Sequence, residues 1–436
     1  MKKSWAIGLS ALVMSGLVTG CGQASGSAAT SSNKSPSSNE PIQLSFYGGW
    51  TGGDGAIMKK MINEFNQTHK NIHVNLTLQQ WTPLFSKFLT QVKAGSPPDL
   101  LGMHAPEIAE FASMGVLDSN IFKGSKYKEK DFVTNAWKNT FWNGKQWALP
   151  LDMHMQGLIY NKDMLQKAGI STPPSTGNEL IQDAIKLTVD DHGKHPNQAG
   201  FDSSHIKTYG LGMPMNHLGF YMWYGLLSQE GDHLLDSQGK NVIFNQNKGN
   251  SAWSFLEDLI YKYHVVPTGE SSPLNDFQKK QVAMVIDGAW NLPDYQDSGL
   301  NFGTAPFPQV FDTKAVWGSG HVLTIPKQKD KSREEAALTV ATWIEGHASE
   351  WANSGNIPVL KTVQDKVKSL PGRAAFVSML PYEKMLPAIK QEAQVFSAKA
   401  PSPILEAAQS AFLSNKNPDE IDKALKQSIQ SLISTP

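Results

Sequence analysis

The chain has 436 residues, 40% of them hydrophobic, and carries 39 basic and 39 acidic side chains. Balanced charge creates no broad field to hold a polyanion, so no nucleic-acid partner is expected. The length exceeds what a single core usually serves, and one cysteine permits no internal disulfide, so two lobes held together by packing alone are expected.

In chain order, Lys2 and Lys3 precede an apolar stretch, Trp5 to Val18, that is too short to cross a bilayer comfortably. It ends at Val18-Thr19-Gly20-Cys21. Behind it, residues 22–39 are almost all Gly, Ala, Ser, Gln, Asn and Thr, which cannot bury enough apolar surface to offset the entropy of ordering. Residues 1–20 therefore read as a signal peptide and 21–40 as a flexible linker. The four residues ending at Cys21 resemble the lipobox of bacterial lipoproteins. That resemblance implies a diacylglycerol on the Cys21 thiol and cleavage in front of it, giving a protein tethered at the outer face of a cell membrane.

Ile42 to Phe46 predicts a strand, 47–55 a glycine-rich loop, and Ile57, Met58, Met61, Ile62 and Phe65 a helix by their spacing. Ile72 to Leu78 alternates as a half-buried strand does, and Leu84 to Val92 is helical. Residues 99–103 and 108–114 give a further strand and helix. Strands alternating with helices imply an α/β lobe with a largely parallel sheet, whose ligands sit beyond the carboxyl ends of the strands. A second α/β series follows Pro150. It has strands at 158–160, 282–286, 302–305 and 322–325, and helices at 161–168, 178–187, 219–227 and 252–263. Ser332 with Glu335 predicts a capping box for the helix through Trp343, and Asn417-Pro418 caps a terminal helix through Ile433.

The motifs of nucleophilic, zinc-hydrolytic and nucleotide chemistry are missing from the sequence, apart from an S-x-x-K at Ser31–Lys34 inside the linker. Paired acids such as Asp54, Glu107 and Asp152 could serve a glycosidase, which needs only two carboxyls at the right separation in space; the family resemblance given below favours them instead as acceptors for ligand hydroxyls. Asp190, Asp191, His192, His195, Asp202 and His205 read as a solvated loop rather than a metal site. No metal and no cofactor are expected.

Gly144-Lys145-Gln146-Trp147-Ala148-Leu149-Pro150-Leu151-Asp152 followed by Gly157-Leu158-Ile159-Tyr160-Asn161-Lys162-Asp163-Met164-Leu165 resembles a signature of family 1 extracellular solute-binding proteins of carbohydrate ABC transporters, the maltose-binding-protein-like group. Pro98-Asp99-Leu100 through Gly115-Val116-Leu117, Val282 through Trp290, Phe302 through Pro308, Gly318-Ser319-Gly320-His321 and an alanine-rich helix near Glu334 follow in the family's order. The resemblance implies an α/β, two-lobed, periplasmic-binding-protein-like fold of type II with a hinge and an interlobe cleft. Lobe 1 would be 41–151 with 320–365, and lobe 2 152–319 with 366–436.

By the same likeness, Trp50, Asp54, His104 and Glu107 occupy sugar-contact positions, Asp152 is a hinge acid accepting sugar hydroxyls, and Trp290 stacks on a pyranose face. Trp81, Trp223, Trp317 and His321 complete the candidate set. Neutral sugars suit such residues, since C–H faces lie on indoles while hydroxyl rims need acids and histidines. The expected protein is a monomeric, non-enzymatic receptor that passes a di- or oligosaccharide to ABC permease subunits, in a single-membrane bacterium. The alternatives are a receptor for a glycerol phosphoester or uronate, which calls for cleft cations, and a secreted carbohydrate-active enzyme.

Overall fold

The computed structural model of the chain describes residues 40–269 and 272–435. The leader, Cys21 and the tract to Asn39 lie outside the described residues. Among the described residues, no helix is long and apolar enough to cross a membrane.

Two sheets organise the chain. In the first, Ile42–Gly48 pairs in parallel with Ile72–Leu78 on one side and Leu100–His104 on the other. His321–Thr324 adds antiparallel to Leu100–His104, and Ala148–Pro150 closes the order. Strand alternation sends successive side chains to opposite faces. Leu44, Phe46, Leu100, Leu149 and Leu323 thus meet helices Gly53–Thr68 and Lys331–Gly346 on one face. Tyr47, Leu101, Met103, Ala148 and Val322 face helices Trp81–Lys93 and Ile108–Ser113 on the other. The helix over 53–68 buries Met58, Met61, Ile62 and Phe65 as their spacing predicts, but starts at Gly53, inside the expected loop.

The second sheet runs in the order Glu383–Lys384, Val316–Ser319, Asp152–Asn161, Val282–Gly288, Ile206–Gly212 and Val189–Asp190. Phe302–Ala305 and Ile357–Pro358 also pair with Asp152–Asn161. That central strand is much longer than the expected 158–160. Its side chains are buried at nine of ten positions, so it shows none of the alternation a half-buried strand would. Helices His217–Gln229, Gln246–Tyr261, Pro403–Phe412 and Pro418–Ile433 pack with it into the larger core.

The chain passes between the sheets three times. Leu151 joins Ala148–Pro150 to Asp152–Asn161, and its N–H donates to the His321 carbonyl at 2.8 Å. Gly320 joins Val316–Ser319 to His321–Thr324; a Cβ there would lie 2.6 Å from the Asp152 carbonyl oxygen. Gly355, at φ 93°, leads from the first core into Ile357–Pro358, where a Cβ would meet the Ala289 carbonyl at 2.1 Å. Only glycine fits the last two of these crossings. Ile357, Val359 and Leu360, inside the segment 320–365 expected in lobe 1, pack into the larger core. Phe132, Ala136 and Trp137, expected in the first lobe, pack into that core as well.

The cap at Asn417 forms as predicted, its side chain accepting from the Asp419 N–H. The predicted box at Ser332 does not: Asp330 is the cap, its carboxylate accepting from the Ser332 N–H at 2.9 Å. Asp accepts as readily as Ser, and Asp330 stands where the chain is still extended. The polar stretch 190–205 is a loop knitted around Asp190, whose carboxylate accepts backbone N–H groups from His192, Lys194 and Asp202.

Candidate functional site

Three parallel strands of the first sheet deliver their carboxyl ends to one place. Trp50 follows Ile42–Gly48, Trp81 follows Ile72–Leu78, and His104 ends Leu100–His104. His321 is the register partner of His104 on the adjacent strand. From the second sheet, Trp290 follows Val282–Gly288, while Trp317 and His154 lie on neighbouring strands close to the crossings. The sequence thus brings indole and imidazole rings from both sheets into one cluster.

The rings are in contact throughout. Trp81 stacks on His321 with centroids 5.4 Å apart and tilts against His104 at 4.4 Å. His321 lies 4.4 Å from His154, which meets Trp290 at 5.6 Å and Trp317 at 6.1 Å, both edge-on. Trp317 stacks on Tyr221 at 4.0 Å. Trp50 stands edge-on to Trp81, His321 and Trp351. Trp81 is seated flat because Gly49 has no side chain: a Cβ there would fall 1.8 Å from the ring. The glycine-rich loop serves as a bed for indoles.

Asp152 sits beneath the cluster, fully buried. Its carboxylate accepts from the His321 N–H at 3.1 Å, from His321 Nδ1 at 2.9 and 3.0 Å, from His154 Nδ1 at 3.3 Å, and from Trp351 Nε1 at 2.6 Å. Burial disfavours the charge, but the neighbouring His321 and the hydrogen bonds from both histidines outweigh it and hold the carboxyl well below the usual range. The expected role of Asp152 toward sugar hydroxyls meets this competition, since both oxygens are already engaged by protein donors. Burial, then the proximity of His321, pushes His154 down to about 3, so its ring is neutral at pH 7. Burial likewise pushes His217 down to about 4, with His104 adding to it. Glu107 accepts from the His104 N–H and from its Nδ1, each at 2.8 Å. Asp54, in the first turn of its helix, accepts from the Gly52 N–H at 3.2 Å, and burial raises its pKa against the pull of nearby His321.

Of the ten candidates, Trp50, Trp81, His104, Glu107, Asp152, Trp290, Trp317 and His321 fall in or directly against the cluster, and Asp54 lies at its edge. Trp223 lies elsewhere: fully buried in the larger core, it stacks on Trp253 at 5.2 Å and donates to the Gly249 carbonyl. Sequence reasoning missed His154, Tyr221, His217 and Trp351. His154 had a signal, since it stands two residues beyond Asp152 on one strand and so shares its face. His217 and Tyr221 are four apart on one helix and meet edge-on at 5.7 Å.

Indole and imidazole rings and a buried acid thus gather where chain crossings join two α/β lobes, the two-lobed architecture of a solute-binding protein. The chain belongs to the bacterial extracellular solute-binding proteins: that family's description matches residues 49–351. A putative binding protein of Brucella abortus is 22% identical over 381 residues, covering 85% of this chain and 88% of that one. The maltodextrin-binding protein of Bacillus subtilis is 22% identical over 355 residues, covering 77% and 79%. Among solved structures, the GacH receptor of Streptomyces glaucescens, determined unliganded and with acarbose, superposes with a TM-score of 0.76 at 20% identity, over 91% of this chain and 99% of that one.

Proposed function

We propose that the protein captures a neutral oligosaccharide of the maltodextrin kind between its lobes and hands it to the permease of an ABC transporter. The carrying observation is the pairing of indole faces with buried polar atoms that lack a protein partner. Among the described residues, Trp50 Nε1, Trp317 Nε1, Ser319 Oγ and Gln156 Oε1 are buried without a hydrogen bond. A sugar offers C–H faces for the first and hydroxyls for the second. No lysine or arginine joins the ring contacts or hydrogen bonds of the cluster among the described residues, which weighs against the anionic alternatives. The names of the maltodextrin-binding and acarbose-bound relatives point to the same ligand class.

Ligand contacts that span both walls favour the closed arrangement, and closure is the signal the permease reads. The family relatives are binding proteins, and the same role without catalysis is proposed here. Two acyl chains on Cys21 would keep the receptor at the outer membrane face, as a monomer. Calorimetric titration of the intact chain with maltotriose, maltose and a uronate tests the reading. Binding of the neutral glucans, weakened by about ten- to a hundredfold in Trp290→Ala with an unchanged circular dichroism spectrum, is expected. Binding of the uronate alone would replace the sugar with an anion.

A further inference from the structure

We propose that His104, His154 and His321 form a binding site for a divalent transition-metal ion of the zinc class at the hinge between the lobes. One ring nitrogen from each lies within 4.8 Å of the other two. Nδ1 of every one of the three is held by a carboxylate: His104 by Glu107 at 2.8 Å, His321 by Asp152 at 2.9 Å, and His154 by Asp152 at 3.3 Å. With Nδ1 engaged in each ring, Nε2 is the nitrogen each offers to an ion. A carboxylate on the second nitrogen is the arrangement that orients a ligating imidazole and raises its basicity. Three imidazoles with a fourth position open is a donor set for zinc, nickel or copper, not for calcium or magnesium, which take oxygen ligands. Asp152 and Glu107, the oxygen donors at hand, are already spent on the rings.

The surroundings fit as well. His154 and His321 are each 4% exposed, and Trp81, Trp290 and Trp317 pack around the three rings. A second group among the described residues, Glu64, His347 and Glu350, is only half-buried, and its histidine Nδ1 is bound to the Trp343 carbonyl. It serves as an internal control. The triad also spans the crossings: His104 and His321 belong to the first sheet and His154 to the second. An ion held by all three therefore binds the closed arrangement better than the open one and shifts the population toward it. The proposal stands whatever sugar, if any, enters the cleft.

The test is titration of the chelator-stripped intact chain with zinc by calorimetry, and with cobalt(II) by visible absorption, which reports low-coordinate nitrogen ligation. One equivalent of zinc should bind, with a rise in melting temperature. Affinity should fall at least tenfold in His104→Ala, His154→Gln and His321→Ala, fall about 10- to 100-fold in Glu107→Gln, and stay unchanged in Glu350→Gln. Absence of one-equivalent binding, retention of it in His104→Ala, or its loss in Glu350→Gln would overturn the proposal. His104 has a quarter of its side chain exposed. His104→Ala therefore decides the matter alone if either of the more buried variants fails to fold. Parallel maltotriose titrations with and without chelator keep a failure of this site separate from a failure of sugar binding.

Discussion

Asp422 is a buried carboxyl far from the cleft, and replacing it with asparagine gives a sharp test of how burial sets stability. Its Oδ1 accepts from Trp253 Nε1 at 3.0 Å, and it packs over Gly249, where a Cβ would lie 2.2 Å from Oδ2. Burial pushes its pKa from 3.8 up to about 7, against the opposing pulls of the Trp253 hydrogen bond and Lys426. Between those two values the folded chain holds a proton that the unfolded chain has released. The unfolded state then binds fewer protons, so stability falls as pH rises from about 4 to about 7 and the penalty is complete above it. Three units at about 1.4 kcal/mol each set an upper bound of about 4 kcal/mol. Lysine screening and relaxation bring the expected figure to about 2 to 4. Asp422→Asn keeps the acceptor for Trp253 and cannot ionise. Urea unfolding followed by tryptophan fluorescence should place the variant about level with the parent at pH 4 and more stable by that amount at pH 8. All other titrating groups cancel in the difference. A difference that does not change with pH would refute the reasoning.

Gly49→Ala should displace Trp81 from its seat and weaken sugar binding by about tenfold with the far-ultraviolet spectrum intact, read by calorimetry. Arg333 clamps the buried Asp99 in a two-pronged contact at 2.7 and 2.8 Å, while Asp99 also accepts from the Ser45 N–H. Arg333→Ala should cost about 2 to 4 kcal/mol in urea unfolding, and Arg333→Lys should restore only part. Glu345 is fully buried, and neither carboxylate oxygen has a partner among the described residues. Glu345→Met should raise the melting temperature, with about 1 to 3 kcal/mol gained in unfolding; a lower melting temperature would show that the carboxyl has a partner.

The elements most legible in the sequence were those half-buried by a regular period. Ile72–Leu78 and the helix over 53–68 announce themselves through Ile72, Val74, Met58, Met61 and Phe65. The strand Asp152–Asn161 hid its first half, because Asp152, His154 and Gln156 are polar yet buried, and no period marks a strand covered on both faces. Trp50, His104 and Trp290 were singled out by their resemblance to sugar-contact positions of the family, and each ends or follows a strand at its carboxyl end, where ligands of α/β folds gather. His154 and Trp351 reach the same place through the crossings. Contacts such as Trp351 Nε1 to Asp152 span 199 positions of sequence, and nothing local encodes them. Trp223 shows the converse: a tryptophan beside an apolar run reads the same whether it lines a wall or fills a core.

The interleaving of the two sheets also dictates an order of assembly. His321–Thr324 lies between Leu100–His104 and Ala148–Pro150, and one face of that sheet is covered by Lys331–Gly346. A nascent chain that has emerged only as far as residue 300 holds three paired strands, a detached fourth and an apolar face covered by Gly53–Thr68 but not by Lys331–Gly346. The amino-terminal lobe is thus completed by residues made long after the second lobe has begun, and closing so long a loop is slow. A chain cut short before residue 320 would leave half of that apolar face exposed, so the last third of the sequence completes the core of the first.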